Sequence, residues 1–425
     1  MQKILNKIKK FIPRRLFSAG QPIYHYLLTL TGAIIYKFPA KKLYVIGITG
    51  TKGKSTTVEV MNSILEAAGY KTSLSNTIRF KINENSKPNK HKMSMPGRFF
   101  MQKFLSDSVK AGCTHAVIEI TSEGSKQFRH KFIDLDAFIF TNLSPEHIES
   151  HGSYERYRQA KLNIAENLNN KSKKDTIMVV NGDDIESELF LEKSADKKIS
   201  YSLSDAKPIK LDGGIEMRFG KTTFYSKLEG EFNVYNILAA ATLANELGIS
   251  HEIIKKGVEN LSEVKGRVQK IDLGQNFEVV VDYAHTPDSL EKLYQAFPNK
   301  KKVCVLGNTG GGRDTWKRPV MAQVAEKYCD EIILTNEDPY DEDPQKIIDE
   351  MKNAIKNKTA HNIIDRRIAI NTAIKKAKEI GEDSVVLISG KGTDPYIMEE
   401  NNKKTPWSDF EVAAEELRKV IDLKN

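Results

Sequence analysis

The segment Thr49-Gly50-Thr51-Lys52-Gly53-Lys54-Ser55-Thr56-Thr57 sets glycines, lysines and hydroxyls between an apolar run and a helix-forming one. Glycines let backbone N–H groups wrap a phosphate, and the N-terminus of the following helix adds its positive dipole. In that arrangement Lys54 reaches the β- and γ-phosphates of a nucleotide, and Ser55 or Thr56 ligates Mg²⁺. Ile48 stands where the general phosphate-loop pattern has its first glycine, so a glycine-rich turn without a ligand is the competing reading. Glu119 ends a short apolar run, at the kind of position where open α/β sheets hold ligands. Read alone, His147 is a loop histidine and Lys161 an exposed helical lysine. Asn233 and Asp282 could be turn residues. The acidic run Asp341-Glu342-Asp343 either attracts an ammonium group or forms a solvated turn before a helix.

These residues need elements to position them. Residues 43–48 read as a buried strand and 55–68 as a helix closed by Gly69. Residues 116–120, 137–140 and 177–181 are short apolar runs suited to inner parallel strands, with helices expected over 99–111 and 154–168. Such alternation indicates a doubly wound α/β domain. Residues 198–227 read as short strands and turns, 233–247 as an Ala-rich helix, and 83–92 as a surface loop. A second α/β series begins after Gly266, with strands expected at 279–281, 303–306, 331–334 and 385–389, which places a domain boundary near Val264.

The chain has 425 residues, 40% hydrophobic and 28% charged. That balance excludes a disordered chain, a collagen-like repeat and a polytopic membrane protein. Three scattered cysteines, Cys113, Cys304 and Cys329, are too few for a disulfide framework or zinc ribbon and fit a reducing, cytoplasmic setting. The formal charge of +9 suits an anionic partner (nucleic acid, membrane surface or phosphorylated small molecule) or plain solubility. Lys3, Lys7, Lys9, Lys10, Arg14 and Arg15 interleave with Ile4, Leu5, Ile8, Phe11 and Ile12, as in a basic amphipathic helix ended near Pro13. The apolar stretch 24–36 is too short to span a bilayer and lacks a signal-peptide cleavage pattern. With the basic helix it is either a membrane-surface anchor or one of a pair of helices packed on the next domain.

Several motifs in one order resemble the Mur ligase family, whose phosphate loop reads TGTNGKTT. Residues 119–125 (EITSEGS) are similar to the E-x-S-S-H-G/A-L segment of its muramyl-tripeptide synthetases, and 141–152 (TNLSPEHIESHG) to TNL-x-x-DHLD-x-HG. Gln159-Ala160-Lys161 stands where the family has A-A-K. Residues 230–236 (GEFNVYN), Gly266-Arg267, 282–288 (DYAHTPD) and 307–318 (GNTGGGRDTWKR) match further blocks. The resemblance spans residues 43–425.

The resemblance implies an α/β protein with a doubly wound P-loop ATPase domain over 43–264. A smaller Rossmann-like domain binding the amino-acid donor follows over 265–425, behind a short helical N-terminal segment, 1–42. It implies a cytoplasmic ATP-dependent ligase of peptidoglycan precursor synthesis. This enzyme adds the third amino acid, of the diaminopimelate or L-lysine type, to UDP-MurNAc-L-Ala-D-Glu through an acyl phosphate. Lys54, Glu119, His147 and Lys161 would be catalytic, with Ser55, Glu119, His147 and a carbamylated Lys161 holding Mg²⁺. The nucleotide would lie on Thr49, Gly50, Thr51, Lys52, Gly53, Lys54, Ser55, Thr56, Asn236, Arg267, Asp282, His285 and Arg313, with Lys317 or Arg318 near its phosphates. Thr121, Ser122, His151, Glu337, Asp338, Tyr340, Gly390 and Asp394 would meet acceptor or donor. The expected partners are a nucleotide-sugar peptide and a free amino acid, not nucleic acid. The enzyme is expected to be a monomer with peripheral membrane contact through residues 1–36.

Four departures bear on the substrates. About 42 residues precede the first strand, where muramyl-tripeptide synthetases have an acceptor-binding domain of around a hundred, so a lipid-linked or differently held acceptor is the alternative. Glu337-Asp338-Pro339-Tyr340 stands where diaminopimelate-adding enzymes have D-N-P-R. Tyr340 cannot make the bidentate bond with which that Arg grips the extra carboxylate. Gly390-Lys391-Gly392-Thr393-Asp394 replaces G-K-G-H-E, and Lys52 and Glu123 replace an Asn and a His. A folylpolyglutamate-synthetase-like enzyme shares the loop, but 282–287 and 313–318 favour the Mur ligases. A nucleotide-binding partner subunit without an acceptor site is the reading from another class, opposed by Glu119, His147 and Lys161.

Overall fold

The computed structural model describes residues 14–146, 148–168, 173–312 and 314–421. The basic helix expected ahead of Pro13, His147 and Arg313 therefore lie outside the described residues. The chain packs as two compact units. One takes in the residues up to Glu146, Gly152–Leu203 and Asn236–Gly257, and the other 147–151, Ser204–Tyr235 and Val258 onward.

In the first unit, strands β1 (Tyr44–Thr49), β2 (Thr72–Ser75), β3 (Arg79–Ile82), β4 (Asn85–Pro88), β5 (His115–Glu119), β6 (Ala137–Phe140), β7 (Ile177–Asn181) and β8 (Lys197–Tyr201) form one sheet. Their order is β4-β3-β2-β5-β1-β6-β7-β8. All pairs from β2 to β8 are parallel. The inner strands are apolar throughout because both faces are covered: Val45, Ile46, Val117, Ile118, Phe138 and Ile139 are fully buried. The helices are α1 (Arg14–Ile35), α2 (Lys54–Ala67), α3 (Arg98–Lys110), α4 (Ser122–Lys126), α5 (Ile148–His151), α6 (Tyr154–Ala165), α7 (Ser187–Leu191), α8 (Glu231–Glu246) and α9 (His251–Asn260). The short α5, the first turn of α8 and the end of α9 from Val258 belong to the second unit. Ser153 caps α6 by accepting the Arg156 N–H, which fixes where the helix carrying Lys161 begins.

The second unit holds a three-stranded antiparallel sheet, β9 (Ile209–Leu211), β10 (Ile215–Phe219) and β11 (Thr222–Ser226). A six-stranded sheet follows: β12 (Gln269–Lys270), β13 (Glu278–Val281), β14 (Lys301–Leu306), β15 (Glu331–Leu334), β16 (Ala360–Asn362) and β17 (Ser384–Ile388), in the order β12-β13-β17-β14-β15-β16. It is parallel except for β12. Helices α10 (Pro287–Gln295), α11 (Lys317–Tyr328), α12 (Pro344–Lys352), α13 (Arg366–Ile380) and α14 (Asp409–Val420) accompany it, with a hairpin of β18 (Tyr396–Met398) and β19 (Lys404–Pro406). The Thr286-Pro287-Asp288 triplet starts α10: Thr286 forms a capping box with Ser289, and Pro287 takes the first turn.

Three sequence expectations change. The surface loop expected over 83–92 contains β4, which pairs antiparallel with β3 at the sheet edge. Its residues are exposed on both faces, so no apolar alternation betrays the strand. Residues 24–35 fall in α1, which runs on through Pro22 as one helix, and Tyr36 begins the turn that follows. Cys304 and Cys329 form a disulfide with Cα atoms 6.1 Å apart; their 25-residue separation hides that β14 and the end of α11 lie side by side.

Candidate active site

β1 pairs with β5 on one side and β6 on the other, so the chain reverses winding direction at its carboxyl end and opens a crevice there. The phosphate-type loop fills that crevice. Gly50 has φ +154°, and a Cβ on it would lie 1.9 Å from Thr141 Oγ1; Gly53 has φ +82°, and its Cβ would lie 2.1 Å from Asn236 Oδ1. No side chain fits at either position. The loop is laced to the segment after β6. The N–H of Thr51 donates to the Asn142 carbonyl at 2.8 Å, the Lys52 N–H to Asn142 Oδ1 at 2.8 Å, and Thr141 Oγ1 to the Lys52 carbonyl at 2.7 Å. Thr51 Oγ1 and the Tyr157 hydroxyl share a hydrogen bond of 2.9 Å. Lys54 opens α2, and its Nζ donates to the Thr51 carbonyl at 2.9 Å. Lys52 turns instead to Glu146, 3.0 Å away.

Glu119 ends β5 beside this loop. Ser55 Oγ donates to its Oε2 at 2.7 Å, Ser94 Oγ to its Oε1 at 2.7 Å, and Thr77 gives both its hydroxyl (3.0 Å) and its N–H (3.2 Å). Burial works to raise the carboxyl's pKa, but the charge of Lys54 and these hydrogen bonds outweigh it, so Glu119 lies below the ordinary carboxylate value. It stands ready as an ionised oxygen ligand. Thr77 and Ser94 were not singled out from the sequence, since they lie outside the phosphate-loop and strand-end patterns.

Lys161, expected from sequence alone to be an exposed helical lysine, is 2% exposed. Its Nζ donates to the Gly50 carbonyl at 2.6 Å and lies 4.9 Å from the centre of the Tyr157 ring. Burial, reinforced by the positive charge of Lys54, pushes its pKa well below the usual lysine value; Glu146 and Glu119 pull the other way. The result is a buried amine beside the phosphate loop whose charged form is disfavoured. Nearby, Thr121 caps α4 by accepting the Gly124 N–H at 3.1 Å, and Ser122, Thr56, Thr49 and Asn236 are buried. Among the described residues no cluster of three or more His, Cys, Asp or Glu is arranged to hold a metal. Ser55 with Glu119 gives a hard oxygen pair of the kind Mg²⁺ shares with water and phosphate.

The remaining predicted residues belong to the second unit. His151 is buried at the end of α5. Asp282 accepts the N–H of Val268 at 2.8 Å and of Ala284 at 2.7 Å; burial raises its pKa against the pull of Arg267. The Arg267 guanidinium stacks 4.5 Å from the Tyr283 ring centre, and His285 Nδ1 bonds to the Tyr283 carbonyl at 2.7 Å. Buried Lys391 binds Asp338 at 2.7 Å and lies 3.5 Å from Asp394. Thr309 Oγ1 donates to Glu337 Oε1 at 2.8 Å. Glu337 Oε2 is buried and accepts nothing among the described residues; a Cβ on Gly390 would lie 2.6 Å from it. Tyr340 is held at φ +53°, its N–H donated to the Met398 carbonyl at 3.1 Å.

At its two aspartates the acidic run after Tyr340 is an exposed turn before a helix, and only its glutamate is tied inward. Asp341 accepts the Asn401 N–H at 2.8 Å, and Asp343 caps α12 through the Gln345 N–H at 2.9 Å. Glu342 takes the buried guanidinium of Arg318 at 2.6 Å and the Gly312 N–H at 2.6 Å. The other arm of Arg318 goes to Glu350 at 2.7 Å.

Known proteins repeat this plan. Residues 48–244 match the Mur ligase middle domain and 266–392 the Mur ligase glutamate ligase domain. The UDP-N-acetylmuramoyl-L-alanyl-D-glutamate–2,6-diaminopimelate ligase of Bacillus cereus is 37% identical over 385 residues, covering 87% of this chain and 77% of that one. A solved structure of a ligase of the same name superposes with a TM-score of 0.60 at 29% identity, over 89% of this chain and 78% of that one. The Mycobacterium tuberculosis folylpolyglutamate synthase complexed with ADP shares the fold at a TM-score of 0.69 and 16% identity, over 87% of this chain and 92% of that one. A phosphate loop closed on Asn236, an ionised Glu119 beneath Ser55 and relatives of this identity across most of the chain agree: the chain belongs to the Mur ligase family.

Proposed function

We propose that this ligase forms an amide between a diamino acid and the D-glutamyl carboxylate of UDP-MurNAc-L-Ala-D-Glu, at the expense of ATP, in cytoplasmic peptidoglycan precursor synthesis. The observation that carries the reading is the assembly of Ser55, Glu119 and the buried amine of Lys161 around the phosphate loop. The acceptor carboxylate takes the γ-phosphoryl group, releasing ADP. The donor's amine then attacks the acyl phosphate carbon, and phosphate leaves with the C–O bond. Such chemistry asks for positioning and charge neutralisation more than for acid–base groups. The backbone N–H groups of the loop and Lys54 cradle the phosphates. Ser55 and Glu119 would hold one Mg²⁺; His147 and Lys161, once its buried amine has become a carbamate, would hold another. Bound there, Mg²⁺ neutralises the phosphate oxygens. Asn236, Asp282, His285, Arg267 and Arg313 serve the nucleoside and phosphates. Thr121, Ser122 and His151 serve the acceptor.

The domains follow the same proposal: residues 43–264 bind ATP and 265–425 the donor, and the enzyme works as a monomer. The donor is of the L-lysine type. Tyr340 offers no cation for a second carboxylate, and both arms of Arg318 are already occupied by Glu342 and Glu350. The buried Glu337 Oε2, which accepts no hydrogen bond among the described residues, instead suits an ammonium group, and Asp338 and Asp394 around Lys391, with Gly390 pressed on Glu337, shape its surroundings. Incubating the protein with ATP, Mg²⁺ and UDP-MurNAc-L-Ala-D-Glu, and offering lysine, diaminopimelate and ornithine separately, tests the reading by product mass. A lysine adduct supports it, and a diaminopimelate adduct overturns the donor assignment. No adduct from folded, ATP-binding protein overturns the acceptor.

A further inference from the structure

Helix α1 packs one side on α3: Thr29 and Ala33 are buried, and Gly32 lies against Phe99 and Gln102. Its opposite side faces solvent and is apolar but for Thr31, whose hydroxyl is turned back to the Leu27 carbonyl at 2.8 Å. Ile23, Leu27, Ile34 and Ile35 are 65, 54, 57 and 58% exposed, and Tyr24 joins them. At the α-helical repeat these five residues fall within about 120° of arc. Exposed apolar residues scattered singly are ordinary, but a continuous stripe marks a surface that meets something. The helix is not long and apolar enough to cross a membrane.

The charge around the stripe is one-sided. None of the 56 acidic residues precedes Glu59, whereas 11 of the 65 basic ones do. The rest of the chain carries 54 basic against 56 acidic residues, so the whole formal excess of +9 belongs to the first 58 residues. Six of those cations, Lys3 to Arg15, lie at or before the start of α1 in sequence, and Lys37, Lys41 and Lys42, all exposed, follow its end.

We propose that the exposed face of α1 docks on an anionic lipid surface, its apolar side chains entering the boundary between headgroups and acyl chains and the flanking cations meeting lipid phosphates. A second copy of the chain would bring cationic flanks together, and a nucleic acid offers no apolar layer for Ile23, Leu27 and Ile34. A lipid surface answers both the stripe and the charge. The proposal is independent of the ligase reading.

Flotation of the full chain with phosphatidylglycerol–phosphatidylcholine vesicles, and with phosphatidylcholine vesicles, tests it. The chain should float with the anionic vesicles at 0.1 M salt and bind about tenfold more weakly at 0.5 M. The double variant Leu27→Glu/Ile34→Glu should lower partitioning at least about tenfold with the melting temperature unchanged. Failure to float with anionic vesicles overturns the proposal, as does equal flotation with phosphatidylcholine or a double variant that floats like the parent. Sedimentation showing a dimer that the double variant splits gives the face to a second copy and overturns it too.

Discussion

At the scale of single residues, Glu119 and Lys161 are both buried and both shifted downward, yet the shift favours the charged form of the carboxyl and disfavours the charged form of the amine, and the difference lies in their partners. Glu119 collects donors from Ser55, Ser94 and Thr77, whereas Lys161 has the cation of Lys54 near it. Glu119→Gln keeps the shape and removes the charge; ligation should fall at least ~10²-fold, with a higher Mg²⁺ requirement in initial-rate titrations, and Ser94→Ala should cost about tenfold. For Lys161 the native pKa lies below the unfolded value of about 10.4. Between the two, the unfolded chain binds a proton that the native state does not, so stability rises with pH across that window and is reduced at neutral pH. Lys161→Met should therefore abolish ligation while raising the melting temperature by on the order of 2 °C at pH 7, read by calorimetry. The burial of Lys161 was not legible from helical periodicity, because a lysine on α6 counts as polar until the partner surface is known. The A-A-K resemblance marked the residue without explaining it.

At the scale of elements, the strands were the most legible part. β6, β7 and β15 run as continuous apolar tracts and were bounded correctly from the sequence. β4 was not, since Asn85–Pro88 bury no face and its pairing with β3 is set by the turn between them. Equally hidden was the polar knot at the starts of α13 and α14. Arg366 donates to both Asp409 oxygens at 2.8 and 2.7 Å, to the Ser389 carbonyl at 2.8 Å and to the Asn336 carbonyl at 3.1 Å. Both side chains are almost fully buried. Arg366→Met should cost about 3–5 kcal/mol in urea unfolding, because it strands a buried carboxylate; adding Asp409→Leu should recover much of the loss.

At the scale of the whole molecule, the order of the motifs announced two α/β units, and the parallel sheets follow from strand–helix alternation. The site was legible where backbone geometry dictates sequence: Gly50 and Gly53 cannot be replaced in that loop. It was less legible where side chains from distant segments meet, as with Ser94 on Glu119 or Thr309 on Glu337. The cysteines gave no sign of pairing because sequence separation says nothing about neighbouring elements. Lys161 has one more consequence. Under the proposed function, in which Lys161 serves metal as a carbamate, the rate would depend on dissolved carbon dioxide. Protein exchanged into degassed, bicarbonate-free buffer at pH 7 should lose most of its ligation rate and regain it on adding ¹³C-labelled bicarbonate, with the label appearing on one lysine.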